Sequence, residues 1–113
     1  MLLAVPNFSE GRDQRTLDAI GAAFGPGLIH ASADADHHRA VFTVEGEPGA
    51  LASVVVAAAA VAVERIDLTR HEGVHPRVGA IDVAPIVYLD PDDRGAAAAE
   101  ALILADRLGH ELA

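Results

Sequence analysis

The residues from 70 to 82 carry an unusual concentration of side chains that can do chemistry. These thirteen residues include two histidines, two arginines, two carboxylates and two glycines, in the order Arg70-His71-Glu72-Gly73-Val74-His75-Pro76-Arg77-Val78-Gly79-Ala80-Ile81-Asp82. An imidazole can move a proton at neutral pH, and a guanidinium group can bind a carboxylate or phosphate through paired hydrogen bonds. We therefore interpret this stretch as a site in which a proton moves next to a bound anion.

The same stretch contains an apparent zinc motif, because His71 to His75 matches the pattern H-E-x-x-H. In zinc proteases a helix brings the two imidazoles of that pattern onto one face. Gly73 disfavours a helix here by about 1 kcal/mol relative to alanine. Pro76 favours an extended backbone at His75 and would interrupt the following turn of a helix. We therefore expect a loop without a metal ion.

Length and composition describe a folded domain. The chain has 113 residues, of which 51% are hydrophobic, so it can bury a core and is not expected to be disordered. The absence of cysteine excludes disulfides and thiolate chemistry. The N-terminus has no basic region typical of a signal peptide, and the longest apolar run, residues 50–63, is too short to cross a bilayer. We expect one soluble, cytoplasmic domain over residues 1–113.

The charge distribution favours a small anionic ligand over a nucleic acid. The net charge is −9, and all eight basic residues are arginines. This field repels nucleic acid, and the sequence has no basic patch to overcome it. Four arginines nevertheless lie in motif-like segments: Arg12, Arg39, Arg70 and Arg77. They predict binding of a carboxylate or phosphate; an ion pair with a neighbouring acid is the alternative for each.

Hydrophobic periodicity predicts alternating strands and helices. Apolar runs predict strands at Leu2–Val5, Leu28–Ala31, Ala40–Glu45 and Ala80–Leu89, the last interrupted by Pro85 at a sheet edge or bulge. Helical spacing and capping residues predict helices at 13–24, 47–65 and 90–112. Polar connections are predicted at Asn7–Arg12 and Asp34–His38. This order is the α+β, ferredoxin-like (split βαβ) arrangement: an antiparallel sheet with helices on one face, plus an extra C-terminal helix.

Three segments carry a resemblance to the glutamate formiminotransferase family, specifically to its N-terminal subdomain as in formiminotransferase-cyclodeaminase. They are Val5–Arg12 (VPNFSEGR), Asp34–Val41 (DADHHRAV) and Ile66–Pro85 (IDLTRHEGVHPRVGAIDVAP), which we call the first, second and third islands. The resemblance covers essentially the whole chain. It implies a ferredoxin-like fold and transfer of the formimino group of N-formimino-L-glutamate to tetrahydrofolate in histidine breakdown. Tetrahydrofolate would be the co-substrate, and no metal is implied.

The resemblance identifies the histidine before Pro-Arg, His75, as the catalytic residue. The folate amine must lose a proton as it attacks the formimino carbon, and a neutral imidazole suits that role as general base. A histidine that merely caps or packs within the loop is the alternative.

The candidate substrate-binding residues come from all three islands: Asn7, Glu10, Arg12, His38, Arg39, Arg70, His71, Arg77 and Asp82. Arg39, Arg70 and Arg77 would hold the glutamate carboxylates. His71 and Asp82 would orient a histidine ring or the substrate, or would bond only to the backbone. Asn7 and Glu10 would shape the pocket wall, or would belong to a purely structural turn.

Two departures from the family pattern affect the expected function. His38 stands where the family usually has Asn, and Ala40 where it has Ser or Thr. Family members also continue after the last helix into another strand and a C-terminal subdomain that supplies much of the folate site. We therefore expect this chain to act as part of a homo-oligomer or with a second subunit or half that completes the site, and the unfinished sheet edge predicts such pairing. A non-catalytic binding or assembly module is the alternative.

Overall fold

The computed structural model describes residues 1–66, 81–83 and 85–112, and of residues 82, 83 and 112 it describes the backbone alone. The strands are β1 (Leu2–Ala4), β2 (Asn7–Phe8), β3 (Leu28–Asp34), β4 (Arg39–Gly46), β5 (Ile81–Val83) and β6 (Ile86–Tyr88). The helices are α1 (Gln14–Phe24), α2 (Leu51–Arg65) and α3 (Arg94–Leu112). Among the described residues no helix is long and apolar enough to cross a membrane.

The six strands form one antiparallel sheet. β3 pairs with one side of β4, and β1 and β2 follow one another along the other side. β6 pairs with β1, and β5 pairs with β2. The sheet therefore has four strand positions, of which two are divided into short segments. This architecture confirms the predicted ferredoxin-like α+β fold with its additional helix.

Prolines divide the two segmented strands, and neighbouring groups bridge the gaps. Pro6 separates β1 from β2, yet its carbonyl accepts the Phe42 N–H at 3.1 Å. Pro85 lies between β5 and β6, and its carbonyl accepts the Val5 N–H at 3.0 Å. In such an antiparallel pair Val5 O would receive the N–H of residue 85, which proline lacks. The Asn7 side-chain amide donates to Val5 O instead, at 3.1 Å.

The core lies between the helices and one face of the sheet. Leu2, Ala4 and Phe8 share that face with Ala40, Phe42 and Val44, and all six are buried. Three phenylalanines meet at its centre, with ring centroids 5.4–6.1 Å apart for Phe8, Phe24 and Phe42. Burial of one such side chain contributes about 1.5–3 kcal/mol. The opposite side of the sheet, which we call the open face, carries Leu3, Asn7, Ser32, Arg39, Val41, Thr43 and Val87, all at least partly exposed.

Helix α1 starts where the capping signal predicted. The Asp13 carboxylate accepts the Arg15 N–H at 3.0 Å, and the Thr16 hydroxyl donates to it at 3.0 Å. These hydrogen bonds, the Thr16 one foremost, lower the pKa of Asp13. Gly25, at φ 72°, ends the helix in a conformation that favours glycine.

Helix α2 starts later than predicted and receives its cap from a distant residue. It begins at Leu51 instead of Pro48, and Ala50 offers no capping side chain. The Glu100 carboxylate of α3 accepts the N–H groups of Gly49 and Ala52, both at 2.7 Å. A carboxylate at this end of a helix pairs with unsatisfied N–H groups and with the positive end of the helix dipole.

Three other predicted boundaries were wrong. Asn7 and Phe8, predicted as part of a turn, form β2 because both β4 and β5 pair with them. β3 continues to Asp34, beyond the predicted Ala31, because β4 supplies partners along its length. The predicted helix from residue 90 begins at Arg94, after a 3₁₀ turn over Pro91–Asp93 that the Asp90 side chain caps.

Candidate functional site

The three islands meet on adjacent strands. Asn7 of the first island lies opposite Val41 of the second across the β2–β4 pair. On its other side, across the β2–β5 pair, Asn7 lies opposite Val83 of the third island. Segments far apart in the sequence are therefore neighbours at this end of the sheet.

A pocket of about 400 Å³ opens at this point on the open face, and we call it the open-face pocket. Its walls combine an amide, a hydroxyl, a carboxylate, an imidazole and a guanidinium group, contributed with two apolar residues by Asn7, Ser32, Ala33, Asp34, His37, Arg39 and Val41. Two of the predicted substrate-binding residues, Asn7 and Arg39, thus line one pocket. Ser32, Asp34 and His37 were not among the predicted site residues.

The hairpin between β3 and β4 fixes the imidazole of His37. Asp34 Oδ1 accepts the backbone N–H groups of Asp36 at 2.9 Å and His37 at 3.2 Å. Asp34 Oδ2 lies 2.7 Å from His37 Nδ1. The side-chain hydrogen bond to His37 is the main reason why the pKa of Asp34 is lowered. An Asp three residues before a His, at a turn, was the sequence signal that could have identified this pair.

Glu10, Arg12 and His38 connect the first island to this hairpin. Gly11 N donates to His38 Nδ1 at 3.0 Å, and Arg12 Nε donates to Ala35 O at 2.8 Å. Glu10 Oε2 accepts the N–H groups of Arg12 and Asp13 at 3.0 and 3.1 Å. These contacts support the structural-turn interpretation; substrate binding by these three residues stays a prediction.

His38 Nδ1 has two neighbours and can serve them in only one way at a time. The unprotonated nitrogen accepts the Gly11 N–H, whereas the protonated nitrogen donates to Glu10 Oε2, 3.2 Å away. Both side chains are about a tenth exposed, at 11% each. The tautomer of His38 therefore decides which of the two groups it stabilises.

Backbone geometry explains two residue types in these islands. A Cβ at Gly11 would lie 2.3 Å from Asp34 O and 2.5 Å from Arg39 N, so the close approach of the hairpin requires glycine. His38 has φ 54°, in the left-handed region. Asn and His are both enriched among non-glycine residues in that region. His38 can thus replace the Asn of the family pattern without changing the turn.

Several predicted site residues lie outside the described residues: Arg70, His71, His75 and Arg77. Asp82 belongs to β5 by its backbone, and its side chain is not described. Within residues 1–66, 81–83 and 85–112, no cluster of three or more His, Asp or Glu side chains could hold a metal ion.

A second cavity of about 430 Å³ lies on the helix side of the sheet, between α1 and β3. Its lining is mostly apolar, and its two longer polar side chains bond to each other, Gln14 Nε2 to Asp18 Oδ1 at 2.7 Å. None of the predicted site residues lines it. The smaller open-face pocket is the better candidate because it holds the ionisable and hydrogen-bonding groups.

Comparison with known proteins gives the same result over the whole chain. The family described as "Formiminotransferase domain, N-terminal subdomain" matches residues 1–113. The formimidoyltransferase-cyclodeaminase of Rattus norvegicus is 38% identical over 113 residues, which cover 96% of this chain and 20% of that protein. The glutamate formimidoyltransferase of Streptococcus pyogenes serotype M1 is 41% identical over 87 residues, 74% of this chain and 29% of that protein. That of Thermoplasma acidophilum is 37% identical over 112 residues, 96% and 37% respectively.

The chain thus spans well under half the length of each of these relatives. Sequence match, strand order and the meeting of the three islands agree. The protein belongs to the family of formiminotransferase N-terminal subdomains.

Proposed function

We propose that this chain supplies the half of a formiminotransferase that binds N-formimino-L-glutamate and takes a proton from tetrahydrofolate, with His75 as the general base. The observation that supports this proposal best is the convergence of the three islands around Asn7. It brings the strand that follows the His75 segment in sequence next to the strand that lines the open-face pocket.

The pocket has the size and the charge pattern for the formimino donor. Its volume of about 400 Å³ falls within the usual range for small-molecule sites. The Arg39 guanidinium is suited to a carboxylate of the glutamate moiety. Asp34 and His37 offer oxygen and nitrogen acceptors to the N–H groups of the formimino end. A donor that is anionic at one end and rich in N–H at the other complements this arrangement.

The proposed chemistry needs a base beside the attacking amine. As the folate nitrogen bonds to the formimino carbon, it becomes positively charged and must lose its proton. A neutral imidazole can accept that proton near neutral pH, and such general-base catalysis contributes about 10²–10⁴-fold to a rate. His75 would have that role, and Arg70, His71, Arg77 and Asp82 would orient it or the substrate.

The open face gives a place for the part of the enzyme that completes the folate site. Leu3, Val41 and Val87 are apolar yet at least partly exposed there. Because the relatives are much longer than this chain, we propose that a second subdomain or subunit covers this face and supplies the remaining folate contacts. Cytoplasmic location and homo-oligomer formation stay predictions.

A second candidate function is a binding or assembly module without catalysis. One observation favours it: the polar groups of Glu10, Arg12 and His38 make hydrogen bonds within the protein. Such a module would bind the donor in the open-face pocket without transferring its formimino group.

The test uses the complete polypeptide in which these residues occur. Calorimetry measures binding of N-formimino-L-glutamate, and mass spectrometry measures formation of formiminotetrahydrofolate. We expect binding and transfer, with a rate about 10²–10⁴-fold lower in His75→Ala and unchanged in the control His110→Ala, at an exposed position on α3. Binding without transfer would favour the module, and the absence of both would refute each proposal.

A further inference from the structure

We propose that His37 is a second proton-transfer residue, held by Asp34, which protonates the amino nitrogen of glutamate as that nitrogen leaves the formimino carbon. The inference rests on the formimino transfer proposed above. It adds an acid for the leaving group, on a different island from the base that serves the attacking amine.

The Asp34 carboxylate is arranged to orient the His37 ring. Its Oδ1 atom is held by two backbone N–H groups, those of Asp36 and His37. Its Oδ2 atom lies 2.7 Å from His37 Nδ1. A carboxylate at Nδ1 fixes the ring so that Nδ1 carries a proton and Nε2 is the atom left to exchange a proton with a ligand. Both residues line the open-face pocket.

The reaction requires a proton at the leaving nitrogen. When the folate nitrogen adds to the formimino carbon, a tetrahedral adduct forms that carries two other nitrogen atoms. Breaking the bond from this carbon to the glutamate nitrogen leaves the electron pair on nitrogen, and an unprotonated amide-type anion is far too basic to leave at neutral pH. The proton on Nε2 of a His37 imidazolium moves to that nitrogen, and glutamate departs as an amine. His37 becomes neutral and regains a proton from solvent.

The contents of the pocket match the geometry of the donor. In N-formimino-L-glutamate the departing nitrogen and the α-carboxylate are attached to the same carbon atom. A guanidinium group that holds that carboxylate therefore places the nitrogen a few ångströms away. Arg39 and His37 line one pocket and are suited to these two neighbouring groups.

The charged groups around His37 come from three elements. Asp34 belongs to β3 and Arg39 to β4, and both line the pocket. Asp36 shares the hairpin loop with His37, and Arg12 approaches that loop through Ala35 O at 2.8 Å. Asp34 and Asp36 favour the protonated imidazole, whereas Arg39 and Arg12 oppose it.

The chain contains a matched histidine–carboxylate pair outside any such pocket. On α3, His110 Nε2 lies 3.2 Å from Asp106 Oδ1, with both side chains more than 70% exposed (80% and 72%). Removal of the His110 imidazole thus controls for the loss of a surface histidine–carboxylate contact.

The test compares His37→Gln, Asp34→Asn and the control His110→Gln in the complete polypeptide, with two formimino donors. One is N-formimino-L-glutamate, and the other is an alkyl formimidate ester, whose alcohol leaves with far less need of a proton. We expect His37→Gln to lower kcat about 100-fold or more on the first donor and less than about 10-fold on the ester, as for loss of a general acid. Asp34→Asn should lower kcat less, and adding it to His37→Gln should cause no further loss. The control should match the wild type.

The outcomes separate this inference from the proposed function. Equal losses on both donors, or kcat of His37→Gln within about twofold of the wild type, would overturn the role of His37 and leave formimino transfer standing. Absence of transfer by the wild type would overturn both. Circular dichroism melts establish that each variant is folded; should His37→Gln fail to fold, a donor-independent loss in Asp34→Asn overturns the inference.

Discussion

The carboxylate of Glu100 is the feature whose removal gives the most direct test of how α2 and α3 are held together. Glu100 is 2% exposed and accepts two backbone N–H groups at 2.7 Å each. In Glu100→Gln one of those N–H groups faces an amide NH₂, and an unsatisfied buried N–H costs about 1–3 kcal/mol. Loss of the negative charge at the helix N-terminus costs about 0.3–1 kcal/mol more. We expect the free energy of unfolding to fall by about 1–4 kcal/mol.

Urea denaturation followed by circular dichroism measures this change. The control is Glu64→Gln, which makes the same chemical change at an exposed position near the other end of α2. It should change the free energy of unfolding by less than about 0.5 kcal/mol. If the two variants had the same denaturation midpoint and slope, the capping argument would be refuted.

Three further predictions concern stability. Gly11→Ala should cost about 3 kcal/mol or more by thermal or urea unfolding, because its Cβ would collide with the hairpin backbone. Asn7→Ala should cost about 1 kcal/mol by leaving Val5 O without its donor, and should cost less when combined with Pro85→Ala, which supplies an N–H opposite Val5. The pKa of Asp13 lies below its ordinary value of 3.8, so its stabilising effect is present above that pH and is lost as the pH falls through the lowered pKa. Thermal melts on acidification should therefore show a smaller loss for Asp13→Asn, which keeps an uncharged cap.

Each of these predictions has its own control or contrary result. Gly95→Ala, with open space around its Cβ, should be neutral or stabilising, and a matching loss there would contradict the collision argument. Additive losses in the Asn7 and Pro85 double-mutant cycle would exclude compensation between these residues. An identical acid dependence of wild type and Asp13→Asn would show that the lowered pKa does not contribute to stability.

The sequence could predict what depends on local patterns. The spacing of Leu17, Ile20 and Phe24 with the Asp13 cap gave α1, and the order of strands and helices gave the ferredoxin-like fold. Asn7 and Phe8 were read as a turn because their residue types favour one, whereas pairing with β4 and β5, distant in sequence, makes them a strand.

The candidate site shows the same division. Asn7 and Arg39 were predicted from their islands, and they do line one pocket. The Glu100 cap joins residues 48 and 51 positions apart, and the His38–Gly11 bond joins residues 27 apart, so no local pattern could reveal either. The Asp34–His37 pair was within reach, since it needs one turn of known chemistry, yet the loop was read as a polar connection.

The amide of Asn7 has two duties, since it fills the gap that a proline leaves in the sheet and forms part of a pocket wall. Selection for a different ligand could not freely exchange this residue, because every replacement would also alter how two strands adhere. Evolution of specificity in this pocket would then proceed through Ser32 or Val41, whose side chains line it without bridging that gap. A library that diversifies those two positions and leaves Asn7 fixed would recover more folded proteins than one that varies all three.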